Sequence, residues 1–170
     1  AITKVVVFWE GENSKQYRQG YYPYYKTNRN NKFTAEQVFD LDRQRIRIKQ
    51  YLEELFIRQV EIPGCEADDG IAHYVVNSPS ESKIIYTNDR DLLQLLDDDT
   101  KVCLTIDKAK VMVSLNNFET YFNYHYKNVG IIKMIAGDTS DNISGLQNVG
   151  EQKVLKYFPE IKKQEVDPEW

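Results

Sequence analysis

The chain is poor in the residues that run nucleophilic and thiol chemistry. It carries two cysteines, Cys65 and Cys103, and two histidines, His73 and His125, in 170 residues. Two cysteines cannot build a disulfide framework, and both stand beside core-like segments, which predicts reduced, buried thiols in a cytoplasmic protein. The histidines are isolated, so no Ser/His/Asp or Cys/His constellation is available, and each is expected to be a satisfied structural residue. No apolar run reaches the length of about eighteen residues that a membrane-spanning helix needs. The opening stretch Ala1 to Phe8 reads as a strand, without the basic region and cleavage site of a signal peptide. Positive charge is also short: 22 Lys and Arg against 26 Asp and Glu give a net charge of −4. As a bulk figure that argues against nucleic acid as a partner.

The distribution of charge argues the other way. Lys and Arg crowd the stretch from Lys15 to Lys49, Lys32 among them, and return at Lys153, Lys156, Lys162 and Lys163. The acids gather in the middle of the chain. A basic arm beside an acidic centre suits a protein that grips phosphates and holds cations between them. A polar loop with a solvated helix face would give the same charge pattern.

Ile2 to Trp9 is a continuous, β-branched apolar run, the pattern of a strand covered on both faces. Residues 11–34 hold no sustained period and contain five tyrosines within nine residues, Tyr17 to Tyr25, interleaved with Arg18 and followed by Lys26 and Arg29. Such a stretch is functional or mobile; its aromatic rings and cations would suit stacking on bases and pairing with phosphates. Ala35 to about Phe56 repeats as an amphipathic helix, with a possible break near Asp42. Ile57 to Ile62 alternates as a strand, Pro63-Gly64 turns, and Glu66 opens a helix. Lys83 to Thr87 is a strand, Leu92 to Leu96 a helix, and Val102–Ile106 with Lys110–Val113 a hairpin. Helices are predicted over Phe118–Tyr126 and Val129–Ala136. Alternating strands and helices predict an α/β fold with a mainly parallel sheet.

Glu66, Asp68, Asp69, Asp89 and Asp91 fall within 26 residues, each next to an apolar run. Paired acids at the ends of neighbouring elements point to oxygen coordination of a hard cation. Glu10 ends the first strand, where open α/β sheets place their ligands. Asp138 and Asp141, three apart, precede a turn from Gly145 to Gly150, with Lys153 in the next helix. A turn of that kind can offer backbone N–H groups to a phosphate, or it can be a plain helix–turn–helix corner.

Four blocks, in this order, resemble the 5′→3′ exonuclease/flap endonuclease family: the segment Tyr22 to Arg29; Glu66-Ala67-Asp68-Asp69; Thr87 through Asp89 and Asp91 to Leu96; and Gly137 through Asp138, Asp141 and Ile143 to Gly145. The resemblance runs from about residue 4 to 158. It implies a PIN-like nuclease fold with a helical arch at about 11–56 and a C-terminal helix-hairpin-helix. The core would span 1–136 and the DNA-binding region 137–170. It also implies that Glu10, Glu66, Asp68, Asp69, Asp89, Asp91, Asp138 and Asp141 hold two Mg²⁺ or Mn²⁺ ions, and that Lys26 and Arg29 contact the scissile phosphate. Arg18, Tyr25, Gly145, Asn148, Gly150 and Lys153 would help to hold DNA with 5′ ends or flaps, with K⁺ at the hairpin. The family pattern begins with an earlier strand ending in an Asp, expected here from upstream sequence or from a separate chain. A DNA-binding segment without catalysis and an RNA-directed nuclease of the same fold are the other readings.

Overall fold

The computed structural model describes residues 1–29 and 33–166; Lys32 and the last four residues of the 137–170 region lie outside them. These residues form two compact units, Ala1–Gly70 and the chain from Ile71 onward.

In the first unit, strand β1 (Val6–Trp9) pairs in parallel with β2 (Arg58–Glu61), Val6 opposite Arg58 and Trp9 opposite Glu61. The observed strand is shorter than the apolar run. Ile2 and Val5 are exposed and β1 is only half-buried, because β2 is its one pairing partner among the described residues. Helix α1 (Ser14–Tyr21) occupies part of the stretch in which no period was found. Its signal was local: Tyr17 and Tyr21 stand four apart, and their rings meet edge-on at 5.5 Å. Turns then lead to α2 (Ala35–Glu54), which runs without a break near Asp42. Thr34 and Gln37 close a reciprocal capping box at its start, a signature visible in Thr34-Ala35-Glu36-Gln37. No residue of α2 is buried.

Helix α3 (Ala67–Val76) follows the Pro63-Gly64 turn. In the second unit, β3 (Lys83–Tyr86) pairs in parallel with β4 (Thr100–Ile106), and β4 forms the expected antiparallel hairpin with β5 (Ala109–Val113). Burial alternates along β3, with Lys83 and Ile85 inside and Ile84 and Tyr86 outside. The segment after Asp89 is a 3-10 helix, Arg90–Leu95, rather than an α-helix. Helix α4 stops at Tyr121 (Phe118–Tyr121); a short 3-10 turn and α5 (Val129–Ala136) follow. Strands β6 (Gly137–Asp138) and β7 (Ile143–Ser144) make a two-residue ladder before α6 (Glu151–Tyr157).

Sixteen buried apolar side chains make one core in this unit, among them Leu93, Val102, Val113, Phe118 and Val154. The rings of Phe118, Phe122 and Tyr124 stack within 4.7 to 5.9 Å of one another. The cysteines are free and half-buried rather than fully inside. His73 is exposed, whereas the buried Nδ1 of His125 has no hydrogen-bond partner among the described residues, so that histidine is not the satisfied one expected. No described helix is long and apolar enough to cross a membrane.

Candidate active site

The acids of the first unit are assembled by close backbone packing. A Cβ on Gly11 would sit 1.8 Å from the Ile62 carbonyl oxygen, so only glycine fits there. The Gly11 N–H donates to the Cys65 carbonyl at 2.9 Å and the Gly64 N–H to Glu12 at 2.8 Å, which ties the end of β1 to the turn before α3. Gly70 works from the other side: an added Cβ would meet the Phe8 ring at 2.8 Å, so its bare face lets α3 approach β1. Glu10, at the end of β1, thereby faces the opening turn of α3 and accepts from the Ala67 N–H.

Asp68 and Asp69 lie in the first turn of α3, where the helix dipole favours negative charge. Asp69 Oδ2 reaches back to the Glu66 N–H at 2.9 Å and caps the helix. Burial, with Glu66 and Asp69 beside it, pushes the Asp68 carboxyl above its ordinary range. Burial also raises Glu10, with Glu66 adding to it and Lys26 opposing. Glu66 is 5% exposed. A carboxylate so enclosed must be paired, and here the segment before α2 supplies the partners. The Tyr25 hydroxyl donates to Oε2 at 2.7 Å, Lys26 Nζ to Oε1 at 2.7 Å, and Arg18 Nε lies 3.7 Å from Oε2. Arg18 also donates to Asp69 at 2.6 Å. Lys26 reaches this position with φ at +52°, a left-handed conformation uncommon for a side-chain-bearing residue. Arg29 follows on the exposed side of the same turns, its N–H donating to the Lys26 carbonyl at 3.4 Å.

The second unit builds its acids at two junctions. Asp89 caps the 3-10 helix after β3, its Oδ1 accepting from the Asp91 N–H at 2.9 Å. Asp138 opens the turn after α5 and accepts at Oδ1 from the Ser140 N–H at 2.8 Å, the Ser140 hydroxyl at 2.6 Å and the Asp141 N–H at 3.3 Å. Gly130 gives the 3-10 helix room against α5, since a Cβ there would meet Gln94 at 3.0 Å. Lys133 of α5 then ion-pairs with Asp91 Oδ1 and donates to Asp138 Oδ2 at 2.7 Å. Burial raises the Asp91 carboxyl, with the Lys133 ammonium opposing. Burial acts the same way on Asp138, but there Lys133 and Ser140 outweigh it and bring the carboxyl down to about 2. Lys133 was not among the residues singled out from sequence. Its position five before Asp138, in the last turn of an apolar helix, was the available signal.

The glycine turn is tightly closed. Gly137 has φ +80°, and a Cβ there would lie 2.3 Å from the Gly145 amide nitrogen. The N–H groups of Leu146 and Val149 are used internally, by the carbonyls of Ile135 and Leu146, which removes both from the row expected to face a phosphate. Asn148 is left-handed at φ +62°, and its carbonyl accepts from Lys153 Nζ at 2.7 Å. Gly150 caps α6 with open space where a side chain would be.

Among the described residues no three His, Cys, Asp or Glu side chains are drawn together as a metal centre. In each unit a lysine ammonium lies against the acids instead. The donor set on offer is wholly carboxylate oxygen, which fits Mg²⁺ or Mn²⁺ and not a soft metal.

The profile of the 5′-3′ exonuclease N-terminal, resolvase-like domain matches residues 1–123. The chain is 33% identical over 157 residues to a 5′-3′ exonuclease of Halalkalibacterium halodurans, covering 91% of this chain and 50% of that protein. It is 34% identical over 174 residues to the Bacillus subtilis 5′-3′ exonuclease, covering 94% and 53%. The DNA polymerase I of Lactococcus lactis subsp. lactis is 33% identical over 126 residues, 67% of this chain and 14% of that protein. Among solved structures, the T5 D15 protein co-crystallised with metal ions superposes with a TM-score of 0.75 at 24% identity, covering 93% of this chain and 61% of that one. The fold is therefore the α/β, resolvase-like fold of the T5 5′-exonuclease, as the motifs implied. The chain spans about half the length of the curated exonucleases it matches. With the profile covering most of the sequence and a relative one-third identical along nearly all of it, this chain belongs to the 5′-3′ exonuclease family.

Proposed function

We propose that this chain carries the catalytic region of a divalent-metal-dependent 5′→3′ exonuclease/flap endonuclease that hydrolyses DNA phosphodiesters by a two-metal mechanism. The observation that carries this reading is the grouping of Glu10, Glu66 and Asp68 around the start of α3. There, burial and mutual repulsion raise two of the carboxyls, and a lysine and an arginine converge on the third. Such a group is costly without cations. Glu10, Glu66, Asp68 and Asp69 in one unit, and Asp89, Asp91, Asp138 and Asp141 in the other, are the proposed ligands of two Mg²⁺ or Mn²⁺ ions. When bound, such ions supply hydroxide at neutral pH and stabilise charge on the leaving oxygen.

The chain's own residues do the rest. Lys26 is held at the acids by Glu66 and would neutralise charge developing on the scissile phosphate, with Arg29 beside it. Arg18 and Tyr25 would steady the same strand, and the exposed rings of Tyr17, Tyr21 and Tyr24 offer stacking faces for unpaired bases. Residues 137–170 would grip duplex DNA as a helix-hairpin-helix, through the backbone of Gly145, Asn148 and Gly150 and the Lys153 ammonium, with K⁺ at the turn. The work belongs to replication and repair of DNA with 5′ ends or flaps.

A labelled 5′-flap duplex tests the proposal. Cleavage should require Mg²⁺, and Asp68→Ala should lower the rate by at least ~100-fold while flap binding persists. An unchanged rate in Asp68→Ala, or in EDTA, would overturn it.

A further inference from the structure

The second unit contains a cation of its own where two acids face each other. Asp91 and Asp138 stand 47 positions apart in sequence, and one oxygen of each meets Lys133 Nζ. The contact is selective. Asp138 spends Oδ1 on Ser140 and Asp141 and turns only Oδ2 to the lysine. The Oδ1 atom of Asp91 is buried and accepts no hydrogen bond from any other described residue, so the Lys133 ion pair is what compensates it. Asp138 is 12% exposed in its side chain, Asp91 30% and Lys133 36%. The acids are thus held and half-enclosed, whereas the ammonium sits on a flexible four-carbon stem with a path to solvent.

Building on the metal-binding reading above, we infer that Lys133 is a resident counter-cation: it occupies the space between Asp91 and Asp138 in the metal-free chain and is displaced when a divalent ion binds there. The physical reason is exclusion. Without any cation the two carboxylates repel across a partly buried gap. With the ammonium in place each has a charge-assisted partner, and the pair keeps its geometry. A divalent ion must collect oxygens from the same two carboxylates, and an ammonium at hydrogen-bond distance from both would repel it. Binding of the metal and seating of Lys133 are therefore linked, and each weakens the other by the same factor. Lys133 is a positioning residue on this account. It keeps the acids ready while lowering their affinity for metal.

Mn²⁺ binding to the whole chain, followed by titration calorimetry, separates this role from a merely structural one. Lys133→Met should bind Mn²⁺ about fivefold or more tightly than the unaltered protein, the lower end of usual coupling between linked ligands. Its metal-free melting temperature should fall and be restored by Mn²⁺. Lys133→Arg, which keeps the charge, should return the affinity toward that of the unaltered chain. If Lys133→Met does not fold without metal, Lys133→Gln is measured by the same criterion. Affinity that is unchanged or weaker in a folded, uncharged variant overturns the inference. Asp138→Asn is the companion measurement. If the unaltered chain binds no Mn²⁺, or binds it equally well as Asp138→Asn, the metal assignment fails and this inference with it. If those two behave as expected and Lys133→Met alone does not, only the role of Lys133 falls.

Discussion

The two units solve different problems with the same kind of residue. Both carry acids gathered at helix ends, and both set a lysine against them. The second unit mounts its acids on a packed core of sixteen buried apolar side chains. In the first, Tyr25 is the single buried apolar side chain among the described residues, and its hydroxyl is committed to Glu66. Close backbone approach and polar contacts therefore place the acids in the first unit, and an apolar side-chain core supports them in the second. Stability and site geometry are coupled tightly in one and loosely in the other.

The largest effect should come from breaking that core. Phe118 is 2% exposed and touches three other rings. Phe118→Ala should cost about 3–5 kcal/mol in urea unfolding, as large-to-small core changes do. In the first unit the comparable insult should fall on chemistry. Lys26→Ala should slow Mg²⁺-dependent flap cleavage by roughly 10²–10³-fold, the usual loss for one charge-stabilising donor, measured in single-turnover assays. Smaller again, Gly137→Ala should destabilise the second unit by about 1–3 kcal/mol, because an L side chain is strained at positive φ and a Cβ there would strike Gly145; thermal melts read this.

The pH response should have opposite signs at Asp138 and at Asp68 when metal is removed with EDTA. Asp138 is held at about 2 against 3.8 when unfolded, so its contribution is present above 3.8 and is lost as pH falls from there toward 2. Asp138→Asn should remove that part of the acid slope. Asp68 is raised instead, so its ionisation opposes folding as pH climbs above 3.8. Asp68→Asn should therefore gain stability in that range, in denaturant titrations at stepped pH. The smallest effect belongs to α2. Ile46 is 57% exposed, and Ile46→Ala should change stability by no more than about 0.5 kcal/mol.

Sequence by itself determined the elements whose signals are local. The β4–β5 hairpin, β2, α5 and the start of α2 follow from alternation, from apolar period and from a capping box, all of which act over a few residues. The motifs also fixed the family, because the spacing of Glu66, Asp68, Asp89, Asp91, Asp138 and Asp141 is itself a chemical pattern. Tertiary structure alone decided who partners those acids. That Glu66 is enclosed by Tyr25, Lys26 and Arg18, and that Lys133 joins Asp91 to Asp138, depends on contacts between residues dozens of positions apart. It decided, too, that the apolar run from Ile2 shortens to Val6–Trp9 and that Phe118–Tyr126 breaks at Tyr121, since strand length and helix length follow pairing and packing more than composition. The glycines at 11, 70 and 137 show the same division. Their identity is plain in the sequence, but the atoms that exclude a Cβ come from elsewhere in the fold.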